Sequence, residues 1–557
     1  MSSSSADPSP SDRVWSRATL AIVIVGIVLR IVQWLANPSL WLDELMLVEN
    51  LINRSVGELL MGALDRNQVA SSGYLLAVRA TIALFGDGEL SLRLVSVSAS
   101  VLALVLFWRL ARALLSPGAT FAATTGFALS PMLISLGSAV KPYSTDVLAT
   151  VLILVALNAL WSMERPLRTR VLIAAGAGAV GFLSIPSVLV AVPATAALLY
   201  RAWQTGGLRD ADDRGATLAP IVVWALVAEA AALWARVSLP PETHDFMIRY
   251  WRTHEAFAPP FSEHPMWMLQ RWADAILPGF LLREYVGAPG AFESALRSII
   301  DFRWLVGLLV LLALPSMARA RGPGWAAAVA LPFVLAVIFS RLWIYPMDPR
   351  TAVFLLPLLL ILVGALTMLV VGTLPPSPWL RRAIPMVAGL FFVTALAAQP
   401  PIYVAQPERE AIRELSLRRQ SGEPLVAFSW AGPALEYYGP RFGIGGPLSF
   451  NDAGSPEDLS ALRASIQGQP SVWVLFTLPY ERSRSYLLCY LDELGRETER
   501  YVFEGAAPSS PASLHRYDLS DEDRVARVAA DDFPDIYQAF QGDSPRCRMR
   551  TWSVDGG

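Results

Sequence analysis

Residues 18–36 read ATLAIVIVGIVLRIVQWLA, and residues 37–51 continue as NPSLWLDELMLVENL. The first stretch is apolar and nearly as long as the roughly 20 residues that a helix needs to cross a bilayer. No small-residue cleavage site follows it, so it is expected to remain as a membrane span and not to be removed as a signal peptide. The second stretch places Asp43 and Glu44 side by side where the chain is expected to leave the membrane.

The composition of the whole chain is typical of a membrane protein. Of its 557 residues, 54% are apolar and 17% are charged, whereas soluble proteins carry about 25% charged residues. The net charge of −2 provides no excess of positive charge, so nucleic-acid binding is not expected. Residues 1–17 are polar and serine-rich, which predicts a disordered N-terminus.

Further apolar runs predict an all-α polytopic protein with about eleven spanning helices. The predicted spans are 18–36, 90–108, 117–138, 146–161, 171–184, 187–203, 217–237, 302–317, 325–342, 350–373 and 383–399. Residues 73–86 are apolar but short and contain Arg79, which favours a helix lying in the membrane interface. Residues 171–200 are too long for one span, so Ser184 and Pro186 are expected to divide them into a helical hairpin.

The arginines set the orientation of these spans, because positive residues favour the cytoplasmic side of a membrane. The predicted cytoplasmic loops hold Arg13, Arg17, Arg109, Arg112, Arg165, Arg168, Arg170, Arg201, Arg209, Arg214, Arg319, Arg321, Arg381 and Arg382. This predicts a multi-pass protein of the cell membrane with a cytoplasmic N-terminus and an extracytoplasmic C-terminus. The outer face would then carry residues 37–89, 139–145, 238–300 and 341–349.

Residues 400–557 follow the last predicted span and are expected to form a soluble extracytoplasmic domain. Strand patterns alternate with helical patterns here, which predicts a small α/β domain with a largely parallel sheet. No glycine-rich nucleotide loop or nucleophile motif is present in this region. Cys489 and Cys547 are the only cysteines, and either a disulfide in an oxidising compartment or two unpaired thiols is consistent with their spacing.

Asp43 and Glu44 are candidates for acid–base chemistry. Adjacent helical residues point about 100° apart, so the two carboxylates need not share a role. A solvated helix start, where acidic side chains favour the positive end of the helix dipole, is the alternative. Further along the chain, Glu89 and Arg93 are four residues apart and predict a supporting helical ion pair.

The predicted outer turn at 139–145 contains Lys141, the only lysine among the 45 lysines and arginines of the chain. Tyr143 and Asp146 follow it closely. An ammonium beside a tyrosine is a suitable contact for a phosphate. The alternative is a lysine that extends outward to water from the end of a span.

The segment RLWIYPMDPRTAVFLLP at 341–357 is similar in character. Tyr345, Asp348 and Arg350 precede a predicted span, and Arg350 could hold a phosphate. The alternative is an aromatic and arginine anchor at the membrane interface.

Three of the four histidines, His244, His254 and His264, lie in the predicted outer loop at 238–300. Their ten-residue spacing fits no helical metal-ligand motif, so surface histidines are favoured over a metal site.

The order of these motifs resembles the GT-C superfamily of membrane glycosyltransferases, which use polyprenyl-phosphate sugars. The stretches that carry the resemblance are LWLDE at 40–44, SSGYLLAVRATIALFGDGELSLRLVS at 71–96, KPYSTD at 141–146 and YPMDPRTAVFLLP at 345–357. The nearest branch is family 39-like, with the protein O-mannosyltransferases and the lipid A aminoarabinose transferases as relatives. The resemblance covers about residues 15 to 400.

The resemblance implies roles for several residues. Asp43 would be the general base that takes a proton from the acceptor, and Glu44 a supporting or metal-side carboxylate. Lys141, Tyr143, Tyr345 and Arg350 would bind the donor phosphate, with Asp146, Glu89 and Arg93 in support. Many relatives carry a His-Pro-Pro or Pro-Pro stretch where this chain reads SSGYLL at 71–76, so a divalent cation as cofactor is left open.

The expected function is therefore transfer of a sugar from a polyprenyl-phosphate carrier to a glycan, lipid or protein acceptor on the outer face of the membrane. A transporter or flippase of lipid-linked glycans is the first alternative. It would place polar groups near the bilayer midplane, often within repeated halves. The sequence shows no internal repeat and few charged residues in the middle of a predicted span, of which Glu229 is the main one. A non-catalytic scaffold that displays the C-terminal domain is the second alternative.

Overall fold

The structure is a computed structural model of the chain. It describes residues 10–209, 211–260, 263, 267, 311–375, 377–397, 402–446, 448–452, 455–478, 481–505, 511–528, 533–541 and 546–550. The chain divides into two compact units. Unit 1 comprises Met1–Ala36 and Asn50–Pro401, and unit 2 comprises Asn37–Glu49 and Ile402–Gly557.

All the regular secondary structure described in unit 1 is helical. Its first helices, with α2 shared between the units, are α1 Pro10–Leu35, α2 Leu42–Asn53, α3 Val56–Met61, α4 Ser72–Phe85, α5 Glu89–Leu92, α6 Leu94–Leu114, α7 Pro117–Leu129, α8 Pro131–Ser135 and α9 Tyr143–Leu160. The remaining helices are α10 Leu167–Ala179, α11 Val188–Gln204, α12 Ala211–Val237, α13 Pro241–Thr253, α14 Leu314–Arg321, α15 Pro323–Arg341, α16 Leu356–Thr373 and α17 Pro378–Ala397.

Among the described residues, 8 helices are long and apolar enough to cross a membrane, and the bent pair α7 and α8 would bring the number to 9. These elements correspond to the predicted spans except for two. The predicted span 171–184 is instead the 13-residue helix α10, which is followed by a 3-10 turn at Val180–Phe182. The predicted span 302–317 begins outside the described residues, and its end falls in α14. The all-α membrane fold is thus confirmed.

Two shorter elements follow the sequence patterns closely. Helix α4 has 14 residues, which at 1.5 Å per residue is too short to cross a hydrocarbon core of about 30 Å. The break in residues 171–200 occurs at the 3-10 turn Ile185–Ser187, which contains Pro186.

The expectation of disorder for residues 1–17 is wrong for residues 10–17, since α1 begins at Pro10. Proline is well tolerated in the first helical turn because the N–H that it lacks would have no helical partner there.

The bend between α7 and α8 explains a buried arginine that the sequence interpretation did not single out. Pro131 cannot continue the hydrogen-bond ladder of α7, and the two helices are bent by 51°. Arg30 of α1 is 1% exposed and donates to the carbonyl oxygens of Phe127 and Ala128 at 3.0 and 2.9 Å. It thereby satisfies carbonyls that the broken ladder leaves without partners.

Unit 2 contains a five-stranded sheet with the order β2-β1-β3-β5-β4. The strands are β1 Leu425–Ala427, β2 Leu448–Phe450, β3 Ser471–Thr477, β4 Arg496–Phe503 and β5 Ala512–Asp518. The helices of this region are α18 Glu408–Arg418, α19 Gly432–Tyr438, α20 Pro456–Ile466, α21 Glu481–Leu494 and α22 Glu522–Arg527. The core includes Val474 and Phe476 of β3, Leu487 and Leu491 of α21, and Tyr517 of β5.

The α/β class of this domain is confirmed, but the sheet is mixed and not largely parallel. β1 pairs in parallel with β2 and β3, whereas β5 pairs antiparallel with β3 and β4. Only residues 504–511 connect β4 to β5, and a connection this short permits a hairpin and not a parallel crossover. Cys489 of α21 and Cys547 form a disulfide, so of the two readings left open by the sequence the structure adopts the paired one.

Candidate functional site

Asp43 and Glu44 lie in the first turn of α2 and have different surroundings. Glu44 is 2% exposed, and its Oε2 accepts a hydrogen bond from the N–H of Trp41 at 3.1 Å. A carboxylate that reaches back three residues to a backbone N–H at the helix start is half of a capping box. Asp43 is only half-buried. The neighbouring carboxylates therefore point in different directions, and Glu44 has a structural task in its own helix.

The segment that carries Asp43 makes backbone and side-chain hydrogen bonds within unit 2. The N–H of Leu40 donates to the hydroxyl of Tyr438, and the N–H of Leu42 donates to Oε1 of Gln406, both at 2.9 Å. Sequence reasoning missed Gln406 and Tyr438, since they lie far along the chain from Asp43 and no local pattern links them to it.

Arg409 adds two contacts to the same segment. Its backbone N–H donates to Oγ of Ser39 at 3.0 Å, and its Nη2 donates to the carbonyl of Asn37 at 2.9 Å. Residues 37–42 are thus held at several points by the start of α18 and by α19.

In unit 1, Lys141 is buried and does not extend outward to water. It is 5% exposed, and its Nζ donates to Oε1 of Gln68 at 2.6 Å. Gln68 is itself 7% exposed. Burial of an ammonium is costly unless polar or anionic groups surround it. The only lysine in the sequence is therefore buried with a hydrogen bond to a polar side chain. This partner, Gln68, was not predicted from the sequence.

Tyr143 and Asp146 lie in the first turn of α9, which packs against the 3-10 turn Thr351–Leu355. Tyr345 reaches this turn, since its hydroxyl donates to the carbonyl of Thr351 at 2.9 Å. Burial raises the pKa of Tyr345 well above its ordinary value, and negative charge on Asp146, Tyr143 and Asp348 raises it further. Tyr143, Asp146 and Tyr345, which come from two distant stretches of sequence, therefore lie close together.

Arg350 is partly buried and forms an ion pair with Asp348, whose Oδ1 lies 3.3 Å from Nε of the arginine. The same oxygen accepts the N–H of Arg350 at 3.0 Å. A phosphate that binds Arg350 would share this guanidinium with Asp348. Arg350, which is predicted to bind the phosphate, is thus already paired with a carboxylate of its own loop.

Glu89 is the first residue of the short helix α5, and Arg93 directly follows its last residue. The N–H of Arg93 donates to the carbonyl of Glu89 at 3.1 Å, and Arg93 is buried at the junction with α6. The ion pair between their side chains stays a prediction. The backbone bond shows that the two residues are one helical turn apart, as their spacing indicated.

The structure describes two of the three loop histidines. Nδ1 of His254 lies 2.8 Å from the carbonyl oxygen of Tyr250, and Nδ1 of His244 lies 3.6 Å from Oδ1 of Asp245. His264 lies outside the described residues. Across the described part of the chain, no group of three or more histidine, cysteine, aspartate or glutamate side chains is placed to hold a metal ion.

A family comparison bears directly on unit 1. Residues 73–234 match the family model of the dolichyl-phosphate-mannose-protein mannosyltransferases. Lys141 and Asp146 lie within the match, whereas Asp43 and Arg350 lie outside it. The match confirms the resemblance of the chain to membrane glycosyltransferases of the GT-C superfamily. No curated protein sequence matches the chain.

Solved structures of two enzymes are similar to the chain at low identity. ArnT from Cupriavidus metallidurans bound to undecaprenyl phosphate is 14% identical over 89% of this chain and 97% of its own, with a TM-score of 0.47. The Archaeoglobus fulgidus oligosaccharyltransferase in complex with Zn and sulfate is 12% identical over 91% of this chain and 73% of its own, with a TM-score of 0.49.

Proposed function

We propose that this protein is a membrane glycosyltransferase that moves a sugar from a polyprenyl-phosphate carrier to an acceptor. The observation that carries the proposal is the buried Lys141, which lies within the residues that match the mannosyltransferase model and donates to Gln68 just before them. Mannose is the sugar in the name of that family, so a polyprenyl-phosphate mannose is the first donor to test. The acceptor would be a hydroxyl of a glycan, lipid or protein.

The reaction that we propose is a single displacement with inversion at the sugar. The acceptor oxygen forms a bond to the anomeric carbon while the bond from that carbon to the phosphate oxygen breaks. Asp43 takes the proton of the acceptor hydroxyl, which a carboxylate can do from within hydrogen-bond reach. The electron pair of the broken bond leaves with the polyprenyl phosphate.

Lys141 is assigned to the donor phosphate, because a cation stabilises the negative charge that develops on the leaving group. Tyr143 and Tyr345 are assigned to the same phosphate as hydrogen-bond donors, and Tyr345 would exchange its bond to the carbonyl of Thr351 for one to the phosphate when the donor binds. The raised pKa of Tyr345 keeps its hydroxyl protonated and able to donate. Arg350 would add a second positive charge, and Asp146, Glu89 and Arg93 would support this arrangement. Glu44 is assigned mainly to holding the first turn of α2.

We further propose the orientation that the arginine distribution predicts, with the N-terminus in the cytoplasm and the C-terminal domain outside it. The disulfide between Cys489 and Cys547 supports this side for the domain, since disulfides persist in oxidising compartments and are rare in the cytosol.

Binding of undecaprenyl phosphate to the intact protein in nanodiscs, followed by native mass spectrometry, tests the donor assignment. The wild type should retain the lipid, and Lys141→Met should bind it about tenfold or more weakly, because one charge-assisted contact is lost. Arg319→Met is the matched control, since it removes one positive charge from an exposed position in α14. Equal binding by wild type and Lys141→Met would contradict the assignment.

A further inference from the structure

The C-terminal domain carries no motif for chemistry of its own, yet it contacts the one segment to which the proposed function assigns a general base. Residues 37–49 belong to the same compact unit as residues 402–557, although residues 36 and 50 on either side belong to unit 1. The chain therefore leaves the helical unit, enters the domain for a short stretch, and returns. Ordering residues 37–49 in this way costs backbone conformational entropy, so specific contacts must hold them in place.

Those contacts converge on the start of α2. Leu40 and Leu42 donate their backbone N–H groups to Tyr438 and Gln406 at 2.9 Å. Backbone N–H groups at the start of a helix have no intrahelical acceptor, so Gln406 supplies one for the first residue of α2. Gln406 is 5% exposed, and a buried hydrogen bond of this kind fixes both position and rotation of the helix end.

A second pair of contacts holds the chain just before the helix. Arg409 binds Ser39 through its backbone and Asn37 through its guanidinium. Asn37 has φ of 47°, a left-handed conformation that asparagine tolerates better than most residues. The turn at which residues 37–49 begin is thus stabilised by a side chain of α18. Asp43 follows Leu42 directly, so any rotation of the first turn changes where its carboxylate points.

We infer that the C-terminal domain positions the catalytic carboxylate, with Gln406 and Tyr438 as positioning residues that act through the backbone of residues 40–42. This inference rests on the proposed function of Asp43. It gives the domain a role in catalysis without requiring that it bind donor or acceptor. Gln406 and Tyr438 influence the orientation of the Asp43 carboxylate. Their loss should therefore lower the rate of sugar transfer and leave the affinity for the donor lipid unchanged.

Two variants remove the acceptor atoms with little change of shape. Gln406→Leu deletes the side-chain oxygen, and Tyr438→Phe deletes only the hydroxyl. Gln406→Glu keeps an oxygen acceptor and should restore the contact. Tyr501→Phe is the matched control, because its hydroxyl donates to Glu499 on its own strand.

Hydrogen–deuterium exchange of the peptide 37–49 in the intact protein is the first readout. Loss of a hydrogen bond of about 1 kcal/mol should speed exchange of the Leu40 or Leu42 amide about fivefold. Transfer of labelled sugar from undecaprenyl-phosphate mannose to acceptors in solubilised membranes is the second readout. Gln406→Leu should lower kcat about tenfold with the donor KM unchanged, because small misplacements of a catalytic group are costly, and Gln406→Glu should recover most of it.

The two readouts separate the possible failures. Unchanged exchange in Gln406→Leu and Tyr438→Phe would overturn the positioning contact, whatever the enzyme does. Faster exchange with undiminished kcat would overturn the claim that the contact serves catalysis. Absence of transfer by the wild type would instead count against the proposed function, while the exchange data would still decide whether the domain orders the segment.

Discussion

At the scale of the residue, two adjacent carboxylates have separate tasks. Glu44 closes the first turn of α2 by accepting the N–H of Trp41, whereas Asp43 stays half-buried. The 100° between neighbouring helical residues makes this division possible. The sequence alone predicted that the roles could differ, but not which carboxylate would cap the helix, because the cap depends on where the helix begins.

Glu44→Ala should therefore lower stability by about 1 kcal/mol, the usual cost of losing a side-chain cap. Glu44→Gln should be close to wild type, since glutamine serves in the same capping position. Thermal unfolding of the intact protein in detergent measures both. The rate of sugar transfer by Glu44→Gln should stay within about threefold of the wild-type rate. If Glu44→Gln instead lost as much transfer activity as is expected for Asp43→Asn, Glu44 would also have to be assigned to the chemistry.

Glu408 gives a prediction about pH. It is 1% exposed at the start of α18, and burial raises its pKa from 4.5 to about 8. The folded protein then holds this proton more tightly than the unfolded chain between those two values, so the contribution of Glu408 to stability is lost as pH rises through about 8. The melting temperature of the wild type minus that of Glu408→Gln should decrease as the pH is raised from 5 to 9. A difference that is constant with pH would contradict the assignment.

The site residues show what a sequence can and cannot predict at this scale. Lys141, Tyr143 and Asp146 were found because unusual polar residues stand out in an apolar chain. Gln68, Gln406 and Tyr438 were not found, since an uncharged polar residue is unremarkable until a distant partner is brought to it. Tertiary hydrogen bonds of this kind depend on packing that leaves no local pattern.

At the scale of the element, apolar length predicted most helices, and the exceptions have clear causes. The 13-residue helix α10 ends where residues 180–187 turn through two 3-10 segments, which glycines and Pro186 permit. In unit 2, the strand β2 has only three residues, too few to give an alternating pattern in the sequence. The antiparallel pairing of β4 and β5 results from the short connection between them, which composition does not reveal.

Close helix packing in unit 1 depends on small residues, and Gly126 of α7 is the clearest case. A Cβ atom there would lie 2.5 Å from the side chain of Leu360 in α16 and 2.7 Å from that of Phe392 in α17, so these two side chains would have to shift. Gly126→Ala should destabilise the protein by about 1–3 kcal/mol, the usual cost of overpacking. The thermal unfolding transition in detergent measures it.

Gly176 of α10 provides the matched control, because, among the described residues, no atom outside the adjoining turns of its own helix lies within 4 Å of the position of an added Cβ. Gly176→Ala should leave the melting temperature unchanged or raise it slightly, since alanine is the better helix former. Equal effects of the two substitutions would show that close packing at Gly126 is not what makes glycine necessary.

At the scale of the whole molecule, the chain combines a membrane unit with a disulfide-bonded α/β domain. If the domain lies outside the cytoplasm, Cys489 and Cys547 should be oxidised in growing cells. Maleimide–polyethylene glycol should then leave the denatured wild-type protein unshifted on a gel before reduction and shift it by two additions after reduction. A shift before reduction would place the domain in a reducing compartment.

A C-terminal fusion to green fluorescent protein gives an independent check of orientation in intact cells. Green fluorescent protein that is exported unfolded stays dark, so the fusion should be expressed without fluorescence. An N-terminal fusion should be bright. A bright C-terminal fusion would contradict the orientation that the arginines predict.

The most direct test of the proposed catalysis is sugar transfer by Asp43→Asn. Asparagine keeps the size of the side chain but cannot accept a proton from a hydroxyl, so transfer from labelled undecaprenyl-phosphate mannose to membrane acceptors should fall by about 10²-fold or more. Lipid binding and melting temperature should remain those of the wild type. Transfer by Asp43→Asn at the wild-type rate would contradict the central claim that Asp43 is the general base of a membrane glycosyltransferase.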